Sequence, residues 1–140
     1  SKIQILEFSI LFIILNYIKM AKNKLEELSE VEFISKKNDS LKSIIISSLA
    51  DGNDKDAIDS KVSTGYEKIV QEINENSNIQ IITKNKSNED IANLLHELIE
   101  DHKVQSNLRK IESLEKKLIN NLDENSYSEL IKLKSQLNRD

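Results

Sequence analysis

The sequence predicts an all-α protein: an N-terminal helical bundle, then one long helix, then a C-terminal antiparallel helical hairpin. Three observations carry this. The 140 residues include no proline and only two glycines, Gly52 and Gly65, so the tight turns that join short strands have almost no residues to build them. Helix interiors need neither residue. Apolar residues recur at spacings of three and four through most of the chain, the signature of helices with one buried face. From Ser87 no helix breaker appears before Asp123, which predicts a helix of about 35 residues and about 50 Å, far beyond the average of about 11 residues.

The elements follow in order. Ile3, Leu6, Ile10, Ile13, Ile14, Tyr17 and Ile18 repeat at helical spacing, and Leu11, Phe12 and Leu15 widen the stripe. A helix apolar nearly all round is enclosed by its neighbours, so this one is expected at the centre of a bundle. The run Phe8 to Ile18 is too short to span a bilayer, which takes about 20 apolar residues, and Glu7 and Lys19 bracket it closely. A short second helix is expected around Met20 to Leu28, with Phe33 and Ile34 capping the core after it. A third helix follows, with Asn38, Asp39 or Ser40 as N-cap and Gly52 just past its end. "NDKDAIDSKVS" reads as a loop with a short helical piece. "TGYEKIVQEINENSN" reads as a helix with Tyr66, Ile69, Val70 and Ile73 on one face. "NIQIITKNK" is the one strand-like stretch, and a lone strand has nothing to pair with. It is expected to be an extended connector that tucks Ile79, Ile81 and Ile82 onto the bundle.

Ser87 or Asn88 caps the long helix, and Glu89 and Asp90 suit its positive N-terminus. Its dense stripe, Ile91, Leu94, Leu95, Leu98 and Ile99, is expected to pack on the bundle. Leu108, Ile111, Leu114 (or Glu115), Leu118 and Leu122 form a narrower stripe, which suits a two-helix seam, so the distal half is expected to leave the bundle. A kink near His102 to Gln105, where Val104 falls between the stripes, would act as a hinge. "LDENS" turns the chain, and Ser126 with Glu129 has the spacing of a capping box. The last helix carries Tyr127, Leu130, Ile131, Leu133 and Leu137 and is expected to fold back on Leu108 to Leu122. The expected division is therefore residues 1–86, with 87–103 packed on them, and residues 104–140.

Composition narrows the function. The formal charge is −4, and neither the part before Ser87 nor the part after it is basic. The cation cluster that phosphates require is missing, so direct nucleic-acid binding is not expected. No membrane segment and no metal or other cofactor is expected. The absence of cysteine excludes disulfides and thiolate zinc sites and allows a cytosolic origin. His96 and His102 lie six apart rather than at the i, i+4 spacing of a helical metal pair. Asp51, Asp54, Asp56 and Asp59 lack the glycine and final glutamate of an EF-hand at their offsets. No nucleophile elbow, phosphate loop or dinucleotide fingerprint occurs, so catalysis by this chain is not expected.

Three stretches carry a family resemblance: "EFSILFIILNYIKM", "LSEVEFISKKNDSLKSIII" and "LRKIESLEKKLINNLDENSYSELIKLKSQLNRD". With the bundle, long helix and charged hairpin, they resemble the C-terminal, helicase-binding domain of bacterial primase (DnaG). Asn16 and Tyr17 stand where that family has a pair that includes proline, and the proline is missing here. The resemblance implies the excised last domain of a larger cytoplasmic protein, without the zinc-binding and polymerising modules. It implies docking, without chemistry, on the N-terminal domains of the replicative helicase (DnaB), with the isolated domain a monomer or weak homodimer. It also implies the contacts: Tyr127, Leu130, Ile131, Lys134 and Leu137 on the last helix, joined by Leu114, Lys117 and Leu118 on the facing one. Closing the hairpin is the competing role for each apolar residue among them. A self-associating helical coiled-coil adaptor is the alternative reading of the whole chain, and a carboxylate-metal bundle enzyme a weaker one.

Overall fold

The computed structural model describes residues 1–75, 77–120 and 123–138, and these form eight helices and no strand. In order they are α1 (Lys2–Asn16), α2 (Ile18–Lys22), α3 (Leu25–Glu30), α4 (Lys36–Ala50), α5 (Lys55–Asn74), α6 (Ser77–Thr83), α7 (Asn88–Asn120) and α8 (Glu124–Leu137). Two compact units divide the chain, Ser1–Glu100 and Asp101–Asp140, with the division inside α7.

In the first unit α1 is the hub. Ser1 caps it, its hydroxyl accepting from the Gln4 amide. Its residues from Ser9 to Leu15 are all buried, as its all-round apolar pattern demands, and it packs against α2, α4 and α5. Leu41, Ile45 and Leu49 of α4, Ile58, Val62, Ile69 and Ile73 of α5, and Ile91, Leu95 and Ile99 of α7 complete one continuous core. Tyr17 ends α1 and donates its phenolic hydrogen to the Thr83 carbonyl at 3.3 Å, tying the end of α6 to the bundle. His96 Nδ1 of α7 lies 2.7 Å from Glu27 Oε1 of α3.

The α3–α4 connection is built on buried polar contacts. Val31 and Phe33 are buried there, so their neighbours' backbone groups must find partners inside the protein. Glu7 of α1 is 0% exposed. Its carboxylate accepts from the Ile34 amide at 2.7 Å, the Ser35 amide at 3.3 Å and the Asn38 side-chain amide at 3.0 Å. Asp39 accepts from the Phe33 amide at 3.0 Å. The buried Lys42 donates to the Val31 carbonyl, pairs with Asp39 at 3.2 Å, and sits over the Phe33 ring 5.0 Å from its centre.

Several expectations are corrected. The N-cap of α4 is Ser35, whose hydroxyl accepts from the Asn38 amide, rather than Asn38, Asp39 or Ser40; Asn38 and Asp39 are occupied by the Glu7 and Lys42 network. Ile34 is exposed instead of capping the core, because its amide is turned in toward Glu7. The stretch from Asp54 is helical from its cap onward, the Asp54 carboxylate accepting from the Ala57 amide at 2.9 Å. The break falls later, at Thr64 and Gly65, where Gly65 has φ 95°. Residues 77–83 form a helix rather than an extended connector. Only Ile79 enters the core, while Ile81 and Ile82 face solvent. The inward pair is Ile79 and Thr83, four apart, with the Thr83 hydroxyl on the Ile79 carbonyl at 2.8 Å. Without a partner strand, helical hydrogen bonds are the local way to satisfy this backbone, and they override the β-branched composition. Other expectations match: Gly52, at φ 82°, follows the end of α4, and Ser87 caps α7, its hydroxyl accepting from the Asp90 amide at 3.1 Å.

Glu7→Gln replaces one acceptor oxygen with a donor facing amides. We expect a loss of about 2–3 kcal/mol in urea unfolding, the scale of a hydrogen bond to a buried charged group. Gly65→Ala meets no neighbouring atom within 4 Å, so only backbone strain opposes it, and a loss of about 1–2 kcal/mol is expected.

Candidate docking face of the C-terminal hairpin

The second unit is held by a narrow seam. Ile111 and Leu114 of α7 pack with Leu130 and Leu133 of α8, and Leu118 and Leu137 flank them, partly buried. The short connection makes the two helices antiparallel. Lys134 Nζ lies 3.0 Å from Glu115 Oε1 across the pair. Asp123 caps α8, its carboxylate accepting from the Asn125 amide at 3.0 Å and from the Ser126 hydroxyl at 3.3 Å. The expected Ser126–Glu129 capping box is therefore displaced, since Asp123 reaches the free amides first and α8 starts at Glu124. Leu108 is exposed rather than part of the seam. Leu122 lies outside the described residues. The helical assignment of α7 is unbroken from Asn88 to Asn120.

The candidate contact residues fall into distinct places. Leu114, Leu118, Leu130 and Leu137 belong to the seam. Tyr127 and Ile131 are 53% and 50% exposed. At 3.6 residues per turn, Tyr127 and Ile131 lie about 60° and about 100° around α8 from Leu130, and Lys134 about 40°, all on the same flank. On α7, Glu115 and Ile119 lie about 40° and about 80° from Ile111. In an antiparallel pair these two flanks are on one side of the hairpin, and the Glu115–Lys134 ion pair marks it. That side therefore gathers Ile119, which is 84% exposed, with Tyr127 and Ile131. Ile119 and the Tyr127–Ile131 pair are also at the same height along the hairpin. Lys117 lies on the opposite flank, about 120° from Ile111.

Ile119 was not singled out from the sequence. Its position one residue past Leu118 marks it as off the seam, but which flank it joins depends on where α8 lies. Apolar arc on α8 runs about 160° from Leu133 to Ile131, and the seam uses about 60° of it. The remainder is a strip that carries Tyr127 and Ile131, half exposed, with Glu112, Glu124 and the Glu115–Lys134 pair around it. Such a strip, with one aromatic and two aliphatic side chains, is suited to insertion in an apolar groove.

The histidines are apart in role as in sequence: His96 is paired with Glu27, and His102 is buried. Among the described residues no group of three or more His, Asp or Glu is placed to hold a metal ion, and no helix is long and apolar enough to cross a membrane. Comparison with family models, with curated proteins and with solved structures found no match to this chain.

Leu130→Ala opens the seam and should cost about 2–3 kcal/mol, the lower range for a buried leucine, read as faster amide exchange throughout α8. Tyr127→Ala and Ile131→Ala remove exposed side chains, and each should shift stability by about 0.5 kcal/mol or less.

Proposed function

We propose that this chain is a non-catalytic docking domain, the helicase-binding end of a bacterial primase, and that its C-terminal hairpin is the part the replicative helicase grips. The observation that carries this reading is the surplus apolar arc of α8: Tyr127 and Ile131, with Ile119 beside them, stay exposed where hairpin closure does not need them. The family resemblance supplies the identity of the partner, the N-terminal domains of the helicase hexamer. In this role the domain brings primer synthesis to the replication fork in the cytoplasm, and the catalytic work belongs to other parts of the parent protein. Seam residues Leu114, Leu118, Leu130 and Leu137 then act by holding the hairpin closed. Tyr127 and Ile131 make contact, and Lys134 adds a charge at the rim.

The same strip also fits a second copy of this chain, which is the adaptor reading. The two are separated by one comparison. Titration with the isolated helicase N-terminal domain should give saturable binding, while sedimentation of the chain alone shows at most weak dimerisation. Tyr127→Ala and Ile131→Ala should each weaken helicase binding about tenfold or more, the scale of interface anchors, with helicity and melting unchanged. Full binding by both variants overturns the contact assignment. A tight homodimer indifferent to the helicase domain replaces the proposal with the adaptor.

A further inference from the structure

The hairpin's core is small and its own. Ile111, Leu114, Leu130 and Leu133 build it, with Leu118 and Leu137 partly buried beside them. Each of the four keeps between 7% and 9% of its surface exposed, whereas Ile10, Ile13, Ile45 and Leu95 of the bundle are at 0%. Among the described residues, Glu115–Lys134 is the one ion pair between α7 and α8, and both side chains are about half exposed. An exposed pair of this kind adds little. The cap at Asp123 is local to α8, reaching Asn125 and Ser126, so it shapes the helix without holding it to α7. The whole unit, Asp101–Asp140, has about 40 residues, the size below which a single core usually needs added support.

The two helices differ in what they keep when parted. α8 has 14 residues, within the range of about 12–15 below which an isolated helix is marginal in water. Asn125, Ser126, Ser128 and Ser135 lie within it, and such side chains also bond the backbone in non-helical conformations. α7 has 33 residues. In its distal part Glu112 precedes Lys116 by four, the order that supports a helix standing alone. α8 is therefore the element that loses its structure on separation.

We propose that the hairpin works as a latch: α8 parts from α7 and unravels while the bundle stays folded, and it closes again by re-forming the seam. The face that gathers Ile119, Tyr127 and Ile131 draws on both helices, so it exists only in the closed form. A partner that grips this face selects the closed form and holds it, and its apparent affinity falls with the closed fraction. The consequence for docking rests on the function proposed above. The opening itself does not, and it is read on the chain alone.

The test is native-state hydrogen exchange of the full 140-residue chain, followed by amide NMR at urea concentrations below the unfolding transition. The amides of Leu130 to Lys134 should exchange through one shared opening, with protection about a hundredfold or more below that of Ile10 to Ile14. Their dependence on urea should be weaker, since this opening exposes less surface than global unfolding. Ser128→Ala combined with Ser135→Ala, at exposed positions off the seam, raises helix propensity. It should raise the protection of α8 about threefold to fivefold and leave α1 unchanged. Three results would each overturn the proposal. One is a single protection and a single urea dependence shared by α8 and α1. Another is unrelated exchange of the α8 amides, one by one. The third is a doubly substituted chain in which α1 gains as much protection as α8, or α8 gains none.

Discussion

The carboxylate of Glu7 is the contact on which the bundle depends. It sits on α1, the helix that packs against α2, α4 and α5, yet its partners Ile34, Ser35 and Asn38 belong to the start of α4 and the residues leading into it. A buried carboxylate is tolerable only when its oxygens are fully engaged. This one is engaged by the backbone amides of Ile34 and Ser35, which lead into α4 and have no acceptor within it, and by the Asn38 side chain. The arrangement also answers an electrostatic problem. α4 begins with Lys36 and Lys37, at an end where a helix favours negative charge. Glu7 supplies that charge from another element. The result fixes α4 along α1, and with it the buried connection through Val31 and Phe33 that Asp39 and Lys42 complete.

The proposed function draws on the opposite property of the second unit. There the apolar surface exceeds what two helices need to bury in each other. In the bundle, α1 is apolar all round from Ile10 to Leu15, where it is enclosed all round. In the hairpin, α8 has one neighbour and still carries apolar residues beyond it. Leu130 and Leu133 are buried while Ile131, between them in sequence, is half exposed. Closing the hairpin accounts for the first two residues and leaves the third unexplained by folding. Charged residues surround the strip, with Lys134 held to Glu115.

Much of this was legible from residue spacing. The all-round stripe of α1, the Gly52 stop after α4, the unbroken run of α7 and the apolar positions of α8 are local patterns, set by the helical period and by turn chemistry. What could not be read was long-range. Glu7 looked only like the polar edge of an apolar run, since its partners lie 27 to 31 residues away. α6 was concealed by its β-branched isoleucines, whose strand preference gives way when no neighbouring strand exists. The first arm of α5 was concealed by its aspartates and asparagine, one of which serves as a cap. In the hairpin, the exposure of Tyr127 and Ile131 followed from their offset to the leucine seam. Ile119 did not, because its side of the hairpin is decided by the pairing of Glu115 with Lys134.

Hydrogen–deuterium exchange of the chain, alone and with the N-terminal domain of a replicative helicase, tests the central claim most directly. The account predicts slowed exchange in α8 and in α7 from Ile111 to Asn120, with the amides of α1 and α4 unchanged. Slowing confined to the bundle, or no slowing anywhere at concentrations that saturate the complex, would contradict it.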